Sequence, residues 1–294
     1  MTTADYLESL QDDLSRTVEA LDLEEGTNFT DIADMAENGD ISTDGGADLS
    51  EYFNTNVEYR QNFEPSNWVN NNAFIKMPTI NVDSRIKNVA NLCYGIKLKY
   101  APQIIFGDNI TTLQNFLAYS SIKYCEMHNQ NTGNVTNMSY MFNYCTQLLT
   151  VDLSGLDYSS VTTMESMFNK CAALTNVNFG NNVNSSSLTK LSSMFSDCAS
   201  LIELDLSNMN MDNVTSTYRM FYGESYKMNL QKLDIRNLDF SNLTNFNDMF
   251  GGGASYRVDD NCLIIVKDDT SKTLLTNKFS RLTNVKTVAE YEGS

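Results

Sequence analysis

Residues 161–171 read VTTMESMFNKC; nearly the same string stands at 135–145 as VTNMSYMFNYC and, loosened, at 188–198 as LTKLSSMFSDC. Aligned on the Met-Phe pair, the anchors are Met141/Phe142, Met167/Phe168, Met194/Phe195, Met220/Phe221 and Met249/Phe250, with successive starts 26, 27, 26 and 29 residues apart. A period in the twenties marks a stacked array, in which each unit buries its apolar face only against its neighbours. Two looser copies come first, with Ile86, Val89, Leu92 and Cys93, then Ile110, Leu113, Phe116 and Leu117, at the same offsets. About seven units therefore fill residues 86–255.

Each unit carries two periods. Val135, Met138, Met141, Phe142 and Cys145 fall at i, i+3, i+6, i+7 and i+10, which predicts one face of a short helix. Leu148-x-x-Val151-x-Leu153 then follows the L-x-x-L-x-L pattern, whose period of two predicts a strand. The expected fold is an α/β solenoid, a leucine-rich-repeat-like stack of about seven strand-turn-helix units with a small helical N-terminal head. Between strand and helix lie DYSS at 157–160, NSSS at 184–187, NMDN at 210–213 and DFSN at 239–242, side chains suited to capping the helix that follows. A Thr recurs at 111, 136, 162, 189, 215 and 244, as a cap or as one step of a hydroxyl ladder.

The unit LxxLDLSxxDxSxVTxMxxMFxxC, visible at 148–174 and 201–221, resembles the repeat of BspA-like leucine-rich-repeat surface proteins of bacteria. That resemblance implies a right-handed solenoid used for attachment to surfaces, proteins or host cells, with no catalytic residues to carry over. The first two units depart from it, lacking both the Met-Phe pair and the Asp-Leu-Ser strand. The Met, Phe and Cys columns read as core, since Met fills irregular gaps and reduced Cys packs as a small hydrophobe. No Cys-x-x-Cys occurs among the six cysteines, so free thiols are the default.

Little here points to catalysis. The chain has one histidine, His128, and the glycines at 251–253 lack the Lys-Ser/Thr of a phosphate loop. Neither an enzyme nor a cofactor is expected. Outward strand positions include Asp152, Asn178, Asp205 and Asp234; calcium can bridge Asp152, Asp205 and Asp234, although a solvated sheet face needs no ion. A glycan-acting enzyme built on Asp205 and Asp234 is the weaker alternative, because identical carboxylates in a ladder do not create two pKa environments.

Charge divides the chain. Residues 1–51 hold 15 acids and one Arg, a net of −14, against a net of −17 for the whole. Nucleic acid is disfavoured as a partner. Residues 1–40 form an acidic head, in which Leu7, Leu10, Leu14, Val18 and Leu21 line one helical face; this is either an oligomerisation seam, as in a homotrimer, or a single docked amphipathic helix. Residues 41–48 read as a linker, 49–85 with Trp68 as an N-terminal cap, and 256–294 as a C-terminal cap with a helix near 270–280 and a last strand near 284–289. The opening MTTADYLESLQDD is acidic and lacks the apolar core of a secretory leader, and no run is long and apolar enough to span a membrane.

The head and DLSEYFN at 48–54 resemble the openings of tail-fibre-like proteins of phages and prophages. The expected function is non-enzymatic recognition: a phage tail-fibre-like virion protein, attached to other tail proteins by its head and to a bacterial surface glycan or protein by its solenoid. The alternative is a BspA-like adhesin at the bacterial cell surface. The expected ligand site is Tyr218, Tyr222 and Tyr226, beside the longest unit spacing, together with Tyr158, because an aromatic ring with a polar tip gives large contact area at low entropy cost.

Overall fold

A computed structural model of the chain describes residues 80–293, apart from 83–84, 103, 128–129, 182 and 252–256. The head with its five apolar residues Leu7, Leu10, Leu14, Val18 and Leu21, the linker, Trp68 and most of the 49–85 cap, His128 and Tyr256 lie outside the described residues.

The L-x-x-L-x-L segments form short strands. In β4 (Thr150–Asp152), β5 (Asn176–Asn178) and β6 (Glu203–Asp205) the central Val or Leu is buried and its neighbours face outward, as a period of two requires. Before them come β1 (Ile80–Asn81), β2 (Ile104–Ile105) and β3 (Tyr124–Glu126); after them β7 (Lys232–Asp234), β8 (Leu263–Val266) and β9 (Val285–Thr287). Every pairing is parallel, and the sheets run β1-β2, β3-β4-β5 and β6-β7-β8-β9 without closing into a barrel. The register steps one unit at a time, Tyr124 to Thr150 to Asn176. A second parallel row joins Asn88, Thr112, Asn137, Thr163, Lys190, Ser216 and Asn245 through isolated bridges.

The helix expected in each unit is absent. Among the described residues the only α-helices are α1 (Asp269–Lys278) and α2 (Val288–Glu292), both beyond the repeats. Residues 138–145 are instead successive tight turns. Alternate amides leave the unit, with Met138, Tyr140, Phe142 and Tyr144 donating to the carbonyls of Thr163, Glu165, Met167 and Asn169 at 2.8–3.0 Å. Asn143 and Cys145, between them, close turns on Tyr140 and Phe142. A helix satisfies its interior amides internally and leaves only those of its first turn for a neighbour, not every second one along its length. The turns need left-handed residues four apart, Tyr140/Tyr144, Ser166/Lys170 and Ser193/Asp197, with φ between 54° and 62°. Each costs about 1–2 kcal/mol, which the hydrogen bonds between units offset. Apolar residues three apart face one way in such turns as they do in a helix, so the spacing alone does not distinguish the two.

DYSS and its equivalents accordingly cap turns. Asp157, Asn210 and Asp239 each accept from the amide two residues on, at 2.9–3.1 Å, while Ser160, Ser187, Asn213 and Asn242 donate to a carbonyl of the preceding unit at 2.6–2.8 Å. The recurrent threonines form the hydroxyl ladder: Thr136 Oγ1 donates to Thr111 O, Thr162 to Thr136, Thr189 to Thr162, Thr215 to Thr189 and Thr244 to Thr215, at 3.0–3.3 Å.

The core is a set of columns. Phe142, Phe168, Phe195, Phe221 and Phe250 are fully buried and stacked ring on ring, with centroids 5.2–5.9 Å apart and planes within 11°. Phe279, just past α1, closes the row edge-on against Phe250 at 90°. Cys145, Cys171 and Cys198 bond through Sγ to Leu117 O, Phe142 O and Phe168 O at 3.0–3.1 Å, and all six cysteines are buried and free. Burial raises the thiol pKa, that of Cys145 to about 11 and that of Cys262 to about 12. At the C-terminal end Arg281 bonds Asp260 and Val258 O, and Thr287 with Glu290 forms a capping box at the start of α2.

Candidate functional site

The tyrosines expected to bind ligand are divided by the fold. Tyr158 is a core residue, 2 % exposed, with its hydroxyl donating to Leu153 O at 2.8 Å; its ring covers Phe179 edge-on, and it drops out of the ligand set. Tyr218 and Tyr222 are half-buried and hold the Arg219 guanidinium at 5.0 and 4.4 Å from their ring centres. Tyr226 is exposed on the loop that gives its unit the extra length. Buried Asp197 anchors that loop, its Oδ1 accepting from the amides of Glu224, Ser225 and Tyr226 at 2.7–3.2 Å.

The carboxylate row is likewise put to structural use. Asp152 and Asp205 each accept from the amide two residues on, Asn178 donates to Asp152 at 3.2 Å, and Arg236 grips both oxygens of Asp234 at 2.7–3.1 Å. Arg236 neutralises Asp234, and Asn178 interrupts the acids, so calcium is not needed to explain the row. Among the described residues no group of three or more His, Cys, Asp or Glu is placed to hold a metal ion. A depression of about 250 Å³ opens between Ser154 and Asn184, where small Ser185 follows Tyr158 in the same column.

A different surface emerges in the first units. The second left-handed position of each turn falls in one column, because its amide always bonds the next unit: Tyr119 to Asn143 O, Tyr144 to Asn169 O, Lys170 to Ser196 O. Three consecutive units place large side chains at this position, Tyr119 exposed and Tyr144 and Lys170 half-buried, whereas Asp197, next in the column, is buried. Tyr119 stacks on Tyr144 at 4.7 Å and 6°, Tyr94 lies on Tyr119 at 5.2 Å, and the Lys170 ammonium caps Tyr144 at 5.1 Å from its ring centre while pairing with Glu224 at 3.3 Å. Partial burial, then the neighbouring Tyr144 and Tyr94, raise the pKa of Tyr119, which keeps its phenol neutral. Tyr94 is 39 % and Tyr119 47 % exposed, too much for core residues of this size.

One strand further along, Tyr100 and Tyr124 are neighbours in the ladder and stack at 5.3 Å, with the Lys99 ammonium 5.2 Å from the Tyr100 ring centre. Lys97, Lys99 and Lys123 are all exposed. Among the described residues none of these three lysines forms an ion pair. The repeat pattern does not reveal this face, because the first units lack the Met-Phe signature. A local charge count does: residues 85–124 hold five basic residues and one acid in a chain of net charge −17.

A family model described as "Mycoplasma protein of unknown function, DUF285" matches residues 110–232 and 156–262, together just over half of the chain. The chain belongs to this family. The matched region of this DUF285 protein covers the units from Ile110 through β7 to the edge of β8, and membership is consistent with the resemblance to BspA-like surface repeats. No curated protein and no solved structure matches the chain. No helix among the described residues is long and apolar enough to cross a membrane.

Proposed function

We propose that the chain is a non-enzymatic recognition and attachment protein, with its units stacked as a leucine-rich-repeat-like solenoid. Its partner is a glycan or protein on a bacterial cell surface. The observation that carries this reading is the stack Tyr94-Tyr119-Tyr144, in which Tyr119 and Tyr144 hold equivalent positions of neighbouring units, Tyr94 leans in from beside the equivalent Gly95, and the rings of Tyr94 and Tyr119 stay exposed. Tyrosine presents a rigid apolar body and a hydroxyl with only two side-chain torsions to immobilise, which suits a contact surface. A BspA-like adhesin is the setting that family membership favours. The phage tail-fibre reading, a virion protein that forms a homotrimer through residues 1–40, is a second reading, supported by the acidic sequence of the head.

The test is binding to whole bacterial cells by three proteins: the native chain, a Tyr94→Ser/Tyr119→Ser/Tyr144→Ser variant, and a Tyr218→Ser/Tyr222→Ser/Tyr226→Ser variant. The first triple is expected to lose binding while its melting temperature stays near that of the native chain. Loss in the second triple alone moves the site to the Asp197-anchored loop. Undiminished binding by both rules out recognition by tyrosine.

A further inference from the structure

We infer that the tyrosine-lysine face of the first units binds an acidic polysaccharide. This rests on the attachment reading and adds the chemical class of the ligand. Lys123 follows Lys99 in the ladder, its amide donating to Lys99 O at 2.7 Å, so the two lysine side chains leave the backbone one strand spacing apart, about 4.8 Å. Adjacent lysines with no acid between them repel, and a folded chain otherwise rich in carboxylates gains nothing by leaving them so. An anionic partner relieves that repulsion. Beyond the acidic residues 1–51 the chain carries a net charge of only −3, and residues 85–124, with five basic residues to one acid, are where its positive charge gathers.

Ring geometry narrows the partner. Tyr119 and Tyr144 lie face to face at 4.7 Å, with Tyr94 against Tyr119 at 5.2 Å and the Lys170 ammonium over Tyr144 at 5.1 Å, so little open ring face is left on these two residues. Bases of a single-stranded nucleic acid need open ring faces to stack on. Rows of phenol hydroxyls and ammonium groups instead match a polymer that carries hydroxyls and spaced carboxylates or phosphates. The high charge density of a nucleic acid also meets more repulsion from the acidic remainder of the protein than a sparsely charged polysaccharide does.

The experiment measures binding of the immobilised full chain to polygalacturonate, a glycerol-phosphate teichoic acid, neutral dextran and single-stranded DNA. Retention of one or both acidic polymers is expected, weakened about tenfold or more between roughly 0.05 M and 0.5 M salt as screening shortens the range of the charges. A Lys97→Gln/Lys99→Gln/Lys123→Gln variant is expected to lose that retention and to melt within about 2 °C of the native chain. The Lys→Arg triple is expected to keep it, which separates charge from fold should the Gln triple be unstable. Carboxylate and phosphate sources are told apart by which polymer is held. Failure to retain either acidic polymer, equal retention of dextran, tighter binding of DNA, or undiminished binding by the Gln triple would each overturn the proposal. If the tyrosine triple abolishes cell binding and the Gln triple leaves it intact, the attachment reading survives and the ligand class does not.

Discussion

In the first units Lys97, Lys99 and Lys123 stand exposed beside tyrosines and meet no carboxylate among the described residues. From Arg219 onward the pattern reverses. Arg219 pairs with Asp248, Arg236 with Asp234 and Glu292, Lys272 with Glu290, and Arg257 and Arg281 share Asp260. The two ends share one backbone plan and one apolar interior, so the difference lies in the outward positions. At the C-terminal end charge closes the stack, tying the end of β7 and α1 to α2; at the other end it is left open to solvent. The same residue types thus serve cohesion in one place and, if the attachment proposal holds, recognition in the other.

The largest effect should come from cutting the interior that both ends share. Phe168→Ala removes the ring between Phe142 and Phe195 and is expected to cost about 3–5 kcal/mol of stability, read by thermal or denaturant unfolding. Each unit leans only on its neighbours, so the loss should also uncouple the two ends, giving two transitions where the native chain gives one. An unchanged melting temperature would show that the Phe column is not what holds the units together.

Next comes a direct contrast of cations. Arg236→Met strands the Asp234 carboxylate, whose side chain is only 6 % exposed, and should cost roughly 1–3 kcal/mol. Lys99→Gln and Lys123→Gln should change stability by no more than about 0.5 kcal/mol, as for surface positions away from structural features. If the lysine changes destabilise as much as Arg236→Met, the two ends do not differ in how they use charge. The hydroxyl ladder sharpens the comparison from the other side, because it runs through both ends. Thr136→Val and Thr244→Val should each cost about 0.5–1.5 kcal/mol, and by similar amounts.

The smallest expected effect is on pH dependence. The hydrogen bond from Arg281, then the charge of Arg257, hold the Asp260 carboxyl below its ordinary pKa, and Lys272 does the same for Glu290. For a lowered carboxylate the stabilising contribution is complete above the unfolded pKa, about 3.9 for Asp and 4.3 for Glu, and is lost as pH falls through the folded value. Acidification below about pH 4 should therefore lower the amide protection factors, taken relative to the intrinsic exchange rate at each pH, at Ile264 and Val285 before it does so at Phe142. An equal fall in protection at both places would mean that the C-terminal ion pairs contribute no local stability.

Much of the core is legible in the sequence. The recurring Met-Phe pair puts Phe142, Phe168, Phe195, Phe221 and Phe250 in one buried column, and L-x-x-L-x-L marks the strands, because both patterns report which side of the chain avoids water. The threonine ladder is one of two readings that the sequence permits, settled by the carbonyl that each hydroxyl meets. The expected helix fails for a physical reason: apolar spacing records which side faces inward, not where the amides point, and in these turns every second amide bonds a different unit. Tyr158 turns inward because the second residue of this turn faces the interior in every unit, as Thr132, Ser185, Met211 and Phe240 do, a column that shows only when the units are aligned. By itself, the sequence determined the repeat, the inward columns and the acidic balance of the chain, since those follow from period and composition. Only the tertiary structure decided that Tyr94, Tyr119 and Tyr144 stack on one another at the surface and that Lys99 and Lys123 are neighbours, because side chains of different units acquire a common face only when hydrogen bonds between units set their register.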